Sequence, residues 1–491
     1  MLAAILIFTW LMPQSDQLAE QSRRAQEALE SGDFQEAVTL YQELVKALPG
    51  VPGLKMNLGI SLHMAGDFHS AIQELQAAVG ADEKLVSGWL FLGSSYLQAG
   101  QPRKAIQPLE RYLKEKPGEP QVHKILAEAF LSLEDYEKAI EHFGKLSDLD
   151  ASDAGAWYGL GKSYEALAAR AFGSLQAQAP ESAYWFALVA DSRVAQQQYR
   201  SAFYFYRKAL ENNPSMRGIH VALSRIYRQT DHPEWAAEEE KKELELGLPD
   251  CQSEKLVCDF LQGRLQQVAE AAGQSNSPEA YYWQAQAYNQ LAMQSFSRLA
   301  QYPSSFEMHR FKAEIHENQG EYLEAAHEWR KALEASPRNP IALQGLAVSL
   351  YLHRDYEAAQ PLIDELLKSA PNSAQLNYLA GGILLNQQKA QEAVPVLEKA
   401  LKTNPDLLAA HQALGRAYLS LQKSDAAIPH LEAALKGDSD GSLHYQLARA
   451  YQNSGRAEHA RQILEKYQQI QQKAEAEQAQ LEEEAQITPP D

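Results

Sequence analysis

Alanines recur at one fixed interval: Ala37, Ala71, Ala105 and Ala139 stand 34 residues apart. One unit of this length cannot bury its apolar face alone, so a chain that repeats it is confined to folds in which each copy packs on the next. The fullest copy reads SGWLFLGSSYLQAGQPRKAIQPLERYLKEKPG. In it Trp89, Leu92, Gly93, Tyr96, Gly100, Ala105 and Pro117 occupy positions 4, 7, 8, 11, 15, 20 and 32. Positions 4, 7 and 11 share one helical face and form an apolar stripe. Small residues at positions 8 and 20 let two helix axes approach, and a larger side chain there costs about 1–3 kcal/mol. The glycine near position 15 ends the first helix where a positive φ is useful. Proline at position 32 stops the second helix, and Pro49, Pro117, Pro214, Pro337, Pro371 and Pro405 all fall there.

These residues resemble the tetratricopeptide repeat (TPR), a helix–turn–helix of 34 residues. The resemblance implies an all-α fold, an α-solenoid in which helix–turn–helix units stack into a superhelix with a groove. Regular repeats are expected near 18–51, 52–85, 86–119, 120–153, 183–216, 217–250, 306–339, 340–373, 374–407, 408–440 and 441–474. The organisation is thus an apolar segment over 1–17, four regular repeats over 18–153, and mixed regular and irregular ones over 154–305. Five regular repeats over 306–474 and an acidic helix end and tail over 475–491 follow. The polar run after Gln462 suits a long helix that caps the stack with a soluble face.

Three stretches break the pattern. Residues 154–182 and 278–305 lack the Gly-Asp turn, and each is expected to form one extended helix or a tightly closed hairpin that bends the stack. Their likeness (Tyr164, Leu167, Ala168, Phe172 and Leu175 against Tyr288, Leu291, Ala292, Phe296 and Leu299) suggests a block duplication. Residues 251–277 read as a shortened hairpin. In SAFYFYRKALENNP, Phe203, Phe205 and Tyr206 take core positions 21, 23 and 24, whereas Tyr204 at position 22 is expected to face solvent. The two cysteines, Cys251 and Cys258, would lie about 10 Å apart on one helix, beyond disulfide reach. They can pair only if Cys251 sits in the preceding turn.

The apolar run Leu2–Met12 is too short to span a bilayer, which takes about 20 residues. It suits the apolar region of a signal peptide and so an export to the cell envelope. No Lys or Arg precedes it and no A-x-A site follows, which leaves a frayed terminus as the other reading. No further segment is apolar enough to cross a membrane.

No catalytic motif is present: no G-x-x-x-x-G-K-[ST], G-x-S-x-G, H-E-x-x-H or paired C-x-x-C. The repeats fill the chain, so a non-catalytic role without cofactor or metal is expected. His309 and His316, with Glu314 and Glu317, make only a weak metal candidate, because a site needs three or four converging ligands. The formal net charge of −19 repels phosphate backbones and argues against nucleic acid as a partner. The TPR resemblance points instead to protein or peptide partners held along first-helix positions 2, 5, 9 and 12, which form one stripe. In this register the stripe carries Tyr158, Lys162, Tyr184, Arg225 and Arg228 mid-chain, then Tyr378, Arg416, Tyr445 and Arg449. Basic and aromatic side chains in so acidic a chain suit an acidic or C-terminal-carboxylate peptide. A clamp of the kind that TPR proteins use on heat-shock chaperones is not supported. Asn57 fits its pattern, but Ser22, Gln26, Ser87 and Phe91 do not.

Overall fold

The computed structural model describes the backbone of residues 3–484 and 486–490, and the side chains of residues 16–476, 479 and 486–490. Among the described residues the chain forms 26 α-helices and no strand. It is an all-α solenoid of helix pairs. The apolar run at Leu2–Met12 lies outside the described side chains; the backbone from Ala3 to Ser31 is one helix. Among the described residues no helix is long and apolar enough to cross a membrane.

Each regular repeat is built by the same few devices. The first helix ends in a residue of positive φ at position 15: Gly32, Gly66, Gly100, Gly320 and Gly455. The aspartates that follow at Asp33, Asp67, Asp135 and Asp355 cap the second helix by accepting a backbone N–H three residues on. Glycine at position 8 admits the position-24 side chain of the facing helix. A Cβ on Gly93 would lie 2.4 Å from Leu109, and one on Gly381 2.5 Å from Leu397. The second helices end at Ala47, Glu115, Asn212, Ala335, Ser369 and Thr403, two residues before the position-32 prolines.

The sequence marks position 15 only where glycine stands there. Glu134, Gln197, Asp231, Arg354, Gln388 and Gln422 fill the same position elsewhere and adopt φ between 57° and 68°. The turn geometry is imposed by the packed hairpin, against a left-handed penalty of about 1–2 kcal/mol for a residue with a Cβ. Gln388→Gly is therefore expected to stabilise its repeat by about 0.5–1 kcal/mol, after the extra backbone entropy of glycine is subtracted. Urea unfolding of the variant beside the parent measures it.

Position 4 ties five of the repeats to the one before. Trp89 and Trp157 donate their indole N–H to the carbonyls of Glu83 and Ala151, at 3.0 and 2.9 Å. Asn377 donates to Pro371 O at 3.0 Å. His123 and His411 place Nε2 3.1 and 2.9 Å from the carbonyls of Pro117 and Pro405. In every case the acceptor lies six residues upstream, in the turn left by the preceding helix, where carbonyls lack helical partners.

The contacts divide the chain into two compact bodies. The first comprises residues 1–170 and 285–301. Its four regular repeats are followed by a hairpin whose two helices come from distant parts of the sequence. The start of the helix Ala154–Gln178 supplies Gly161 at position 8, and the end of the helix Pro278–Leu299 supplies Phe296. A Cβ on Gly161 would lie 2.3 Å from the Phe296 ring, so Phe296 stands where the position-24 residue stands in a regular repeat. Tyr164 stacks on Tyr288 with ring centres 6.1 Å apart. Gly161 precedes Tyr164 while Phe296 follows Tyr288, so these segments run antiparallel. The two stretches without the Gly-Asp turn each form one extended helix, Ala154–Gln178 and Pro278–Leu299, and within this body the look-alike segments pack against each other.

The second body comprises residues 171–284 and 302–491. It holds the regular repeats from 183 to 250 and from 306 to 474, and between them the short hairpin Lys255–Leu261 and Leu265–Gly273. Cys251 lies in the turn before that hairpin and is disulfide-bonded to Cys258, with Cα atoms 5.6 Å apart. Phe203 and Tyr206 are buried, as positions 21 and 24 require. Phe205 is only half-buried, against Trp185 and Phe186. Tyr204 does not simply face solvent. It is half-buried, its ring 5.1 Å from that of Phe205 and 5.7 Å from the Lys208 ammonium.

Candidate functional site

The first-helix stripe differs between the two bodies. In the first body Tyr158 is buried, 6% exposed, and offers little surface to a ligand. Lys162 is half-buried and ion-paired to Glu165 at 2.9 Å.

In the second body two patches of similar composition lie on the stripe. Tyr184 (position 2) packs against Tyr282 with ring centres 5.5 Å apart. Burial and the nearby charge of Glu279 push its hydroxyl up to about 12. Beside it the buried Tyr206 donates its hydroxyl to Asp191 Oδ1 at 2.5 Å. Burial and the Asp191 carboxylate hold that phenol far above its ordinary range, while the guanidinium of Arg225 pulls the other way. Arg225 and Arg228 are both exposed, and Arg228 is paired with Glu240 at 2.5 Å.

The second patch gathers Tyr351, Tyr378 and Arg416. The Tyr351 and Tyr378 rings are 6.1 Å apart and edge-on. Burial, then the Tyr378 hydroxyl, raise the pKa of Tyr351, and the charge of Arg416 opposes them. Gly382 makes the room: a Cβ there would lie 2.2 Å from the Tyr351 hydroxyl oxygen. Further along, Tyr445 is 47% exposed and its ring lies 5.7 Å from that of Tyr467; Arg449 is exposed.

Four residues of these patches are not among those expected from the sequence. Asp191 and Gly382 fall at position 9, Tyr282 at position 5 and Tyr351 at position 12, so the register itself held the signal. Asp191 and Gly382 are neither basic nor aromatic and so escape a selection of the stripe on those criteria, whereas Tyr282 and Tyr351 satisfy them and were legible.

The metal candidate is dispersed. His309 Nδ1 meets Glu328 at 2.7 Å and His316 Nδ1 meets Glu321 at 2.7 Å. His309 belongs to a recurrent pairing of positions 4 and 23. His220 meets the buried Glu239 at 2.5 Å in the same way. Burial works to raise both carboxylates, but hydrogen bonds from the paired histidine and from Lys242 or Lys331 leave each lowered. In two other repeats both positions are histidine: His123 and His142, and His411 and His430, each with Nδ1 atoms 3.0 Å apart.

The register matches TPR sequence profiles through most of its length. Profiles described as tetratricopeptide repeat cover residues 22–85, 297–340, 312–359 and 345–407, then 62–129 and 384–442, and 441–474. One described as TPR repeat covers 127–167. The chain belongs to the tetratricopeptide-repeat family. A curated relative, the Protein CTR9 homolog of Arabidopsis thaliana, is 31% identical over 110 residues. That match takes in 22% of this chain and a tenth of the relative's length. Among solved structures, MamA from Desulfovibrio magneticus RS-1 is 22% identical, with 34% of this chain and 96% of that one covered at a TM-score of 0.31. TTC0263, a thermophilic TPR protein of Thermus thermophilus, is 21% identical, with 37% and 98% covered at a TM-score of 0.30. Nothing about role follows from likeness at this level.

Proposed function

We propose that this TPR chain is a non-catalytic scaffold that binds an extended peptide or a partner helix along its first-helix stripe. The observation that carries this reading is the recurrence, in the second body, of paired tyrosines beside an arginine. The charge of Arg225 acts on Tyr206, which also feels Tyr282 of the pair Tyr184 and Tyr282, and the charge of Arg416 acts on Tyr351 of the pair Tyr351 and Tyr378. The half-buried Tyr184, Tyr351 and Tyr378 give amphipathic contact area that is already ordered, with the buried Tyr282 backing Tyr184, and arginine adds bidentate recognition of carboxylates. An acidic peptide is the ligand this chemistry fits.

Reversing Arg225 and Arg228 together, each to Glu, is expected to lower recovery of native partners at least ten-fold in affinity capture. The melting temperature should barely move, since an exposed pair such as Arg228–Glu240 contributes at most about 1 kcal/mol. Undiminished capture by a folded double variant would remove Arg225 and Arg228 from the interface.

A second reading, an exported factor that docks onto an envelope assembly, secretion or polysaccharide-synthesis complex, is favoured by one observation. The Cys251–Cys258 disulfide is of a kind that persists in oxidising compartments. With the Leu2–Met12 run it makes export testable by fractionation and the mass of the mature N-terminus. A cytosolic product with that run intact and both thiols reduced would remove this reading.

A further inference from the structure

Two position-11 tyrosines, the half-buried Tyr418 and the buried Tyr451, share a habit. Tyr418 donates its hydroxyl to Glu398 at 2.8 Å, and Tyr451 donates to Glu432. In both cases the acceptor is the position-25 glutamate of the preceding repeat. Tyr227 is the position-11 residue of the repeat 217–250, is 1% exposed, and has Arg207 where that glutamate stands. A guanidinium has only donors. The hydroxyl of Tyr227 instead donates to the backbone carbonyl of Thr488 at 2.7 Å, across 261 residues of sequence.

The segment that supplies this carbonyl, residues 486–490, follows the helix Ala457–Glu484 and is non-helical. It reads Gln-Ile-Thr-Pro-Pro. Ile487 and Pro490 are half-buried, whereas Gln486, Thr488 and Pro489 are exposed, so one side of the segment rests against the protein. A residue before proline is driven to extended backbone, and consecutive prolines favour polyproline II, which loses little entropy on docking. The two prolines offer carbonyls and ring faces but no N–H. A surface that reads such a segment must therefore bring a donor and aromatic or apolar faces. Around Tyr227 the ring of Phe203 lies 5.7 Å away and that of Trp235 5.6 Å away, and His232 stacks on Trp235 at 3.8 Å.

We propose that the corner at Tyr227 is a binding site for extended proline-containing segments, held in cis by residues 486–490, so that a partner segment of the same chemistry enters only by displacing them. Position 11 is outside the first-helix stripe, so the site is separate from the peptide surface proposed above. Tethering gives the resident segment a high effective concentration, of the order of millimolar for a short flexible link, so modest intrinsic affinity suffices to keep the site filled.

The test uses the full chain, a version with residues 487–490 replaced by Gly-Ser-Gly-Ser, and a fluorescein-labelled, amidated peptide of residues 484–491 read by anisotropy. The peptide is expected to bind the replaced chain one to one, at least ten-fold more tightly than the intact chain. Tyr227→Phe in the replaced chain is expected to weaken binding at least ten-fold. Arg207→Glu, which restores the acceptor found in other repeats and is compatible with their fold, is expected to do the same. Equal affinity for intact and replaced chains, absence of binding to the replaced chain, or indifference to both substitutions would overturn the proposal. Concentration-dependent self-association of the intact chain, abolished by the replacement and seen in light scattering, would place the docking between copies and overturn the cis form. Partner capture that depends on Arg225 and Arg228 reports on the stripe alone, so either reading can fail while the other stands.

Discussion

Gly161→Val is expected to destabilise the first compact body by about 2–3 kcal/mol, near the upper end of the usual cost of overpacking. The Phe296 ring occupies the space a Cβ would need, 2.3 Å from its ideal position, and helical backbone on both sides leaves little room to yield. Phe296→Ala in the parent chain should be destabilising through the cavity it leaves. Combined, the two changes should cost clearly less than their sum, with a coupling of about 1–2 kcal/mol in a double-mutant cycle on urea unfolding. A hairpin closed within 154–182 would put Ala177 at position 24. In that arrangement the two substitutions would be independent, so strict additivity would refute the pairing of residues 154–170 with 285–301.

Acid should open the repeat 120–153 before the others. A carbonyl only accepts, so Nε2 of His123 carries the hydrogen that meets Pro117 O, and its Nδ1 accepts from Nδ1–H of His142. Burial, then the neighbouring His123, lower the pKa of His142 from 6.5 to about 4. The unfolded chain therefore binds the proton first as pH falls. Stability from this group is complete above about pH 6.5, declines between 6.5 and 4, and is flat below. The loss is about 2 kcal/mol from pH 7 to pH 5 and about 3 kcal/mol by pH 4. His430, lowered by burial and by His411, should give the repeat 408–440 the same sign of change. Glu239 and Glu328 are lowered carboxylates, so their contribution is lost only below their ordinary range and leaves the window above pH 4.5 to the histidines. Hydrogen exchange of the 120–153 amides at pH 7 and pH 5, corrected for intrinsic rates, measures the effect. His142→Gln, which keeps a donor for His123 but cannot titrate, should remove most of the pH dependence; an unchanged dependence would assign it to other groups.

Much of this architecture is readable from one period. A 34-residue spacing of small residues, with an apolar stripe and terminal prolines, specifies a helical hairpin because each device acts within one repeat or on its immediate neighbour. The turn at Gly66–Asp67, the close approach at Gly93 and the helix stop before Pro117 are local physics, and so they are legible one residue at a time. The stripe positions are legible for the same reason, since helical geometry alone aligns positions 2, 5, 9 and 12. Which of those residues remain available is not. Tyr158 sits on the stripe and is buried, while Asp191 sits there and anchors a phenol, because neighbours from other helices decide exposure and charge.

What the tertiary structure alone decided is every contact between segments far apart in the chain. The likeness of 154–182 to 278–305 pointed to a duplicated block; the fold makes the first part of one helix and the last part of the other a single hairpin. Periodicity records which face of a helix is apolar but carries no label for the partner that covers it. Cys251 and Cys258 pair because a turn, not a helix, holds the first of them, and the loss of helix there is a packing outcome. The contact between Tyr227 and Thr488 is the extreme case. The sequence shows an arginine in place of an acceptor at position 207 and two prolines at 489 and 490, and only three-dimensional proximity joins them, because a hydrogen bond is specified by distance in space and not by distance along the chain.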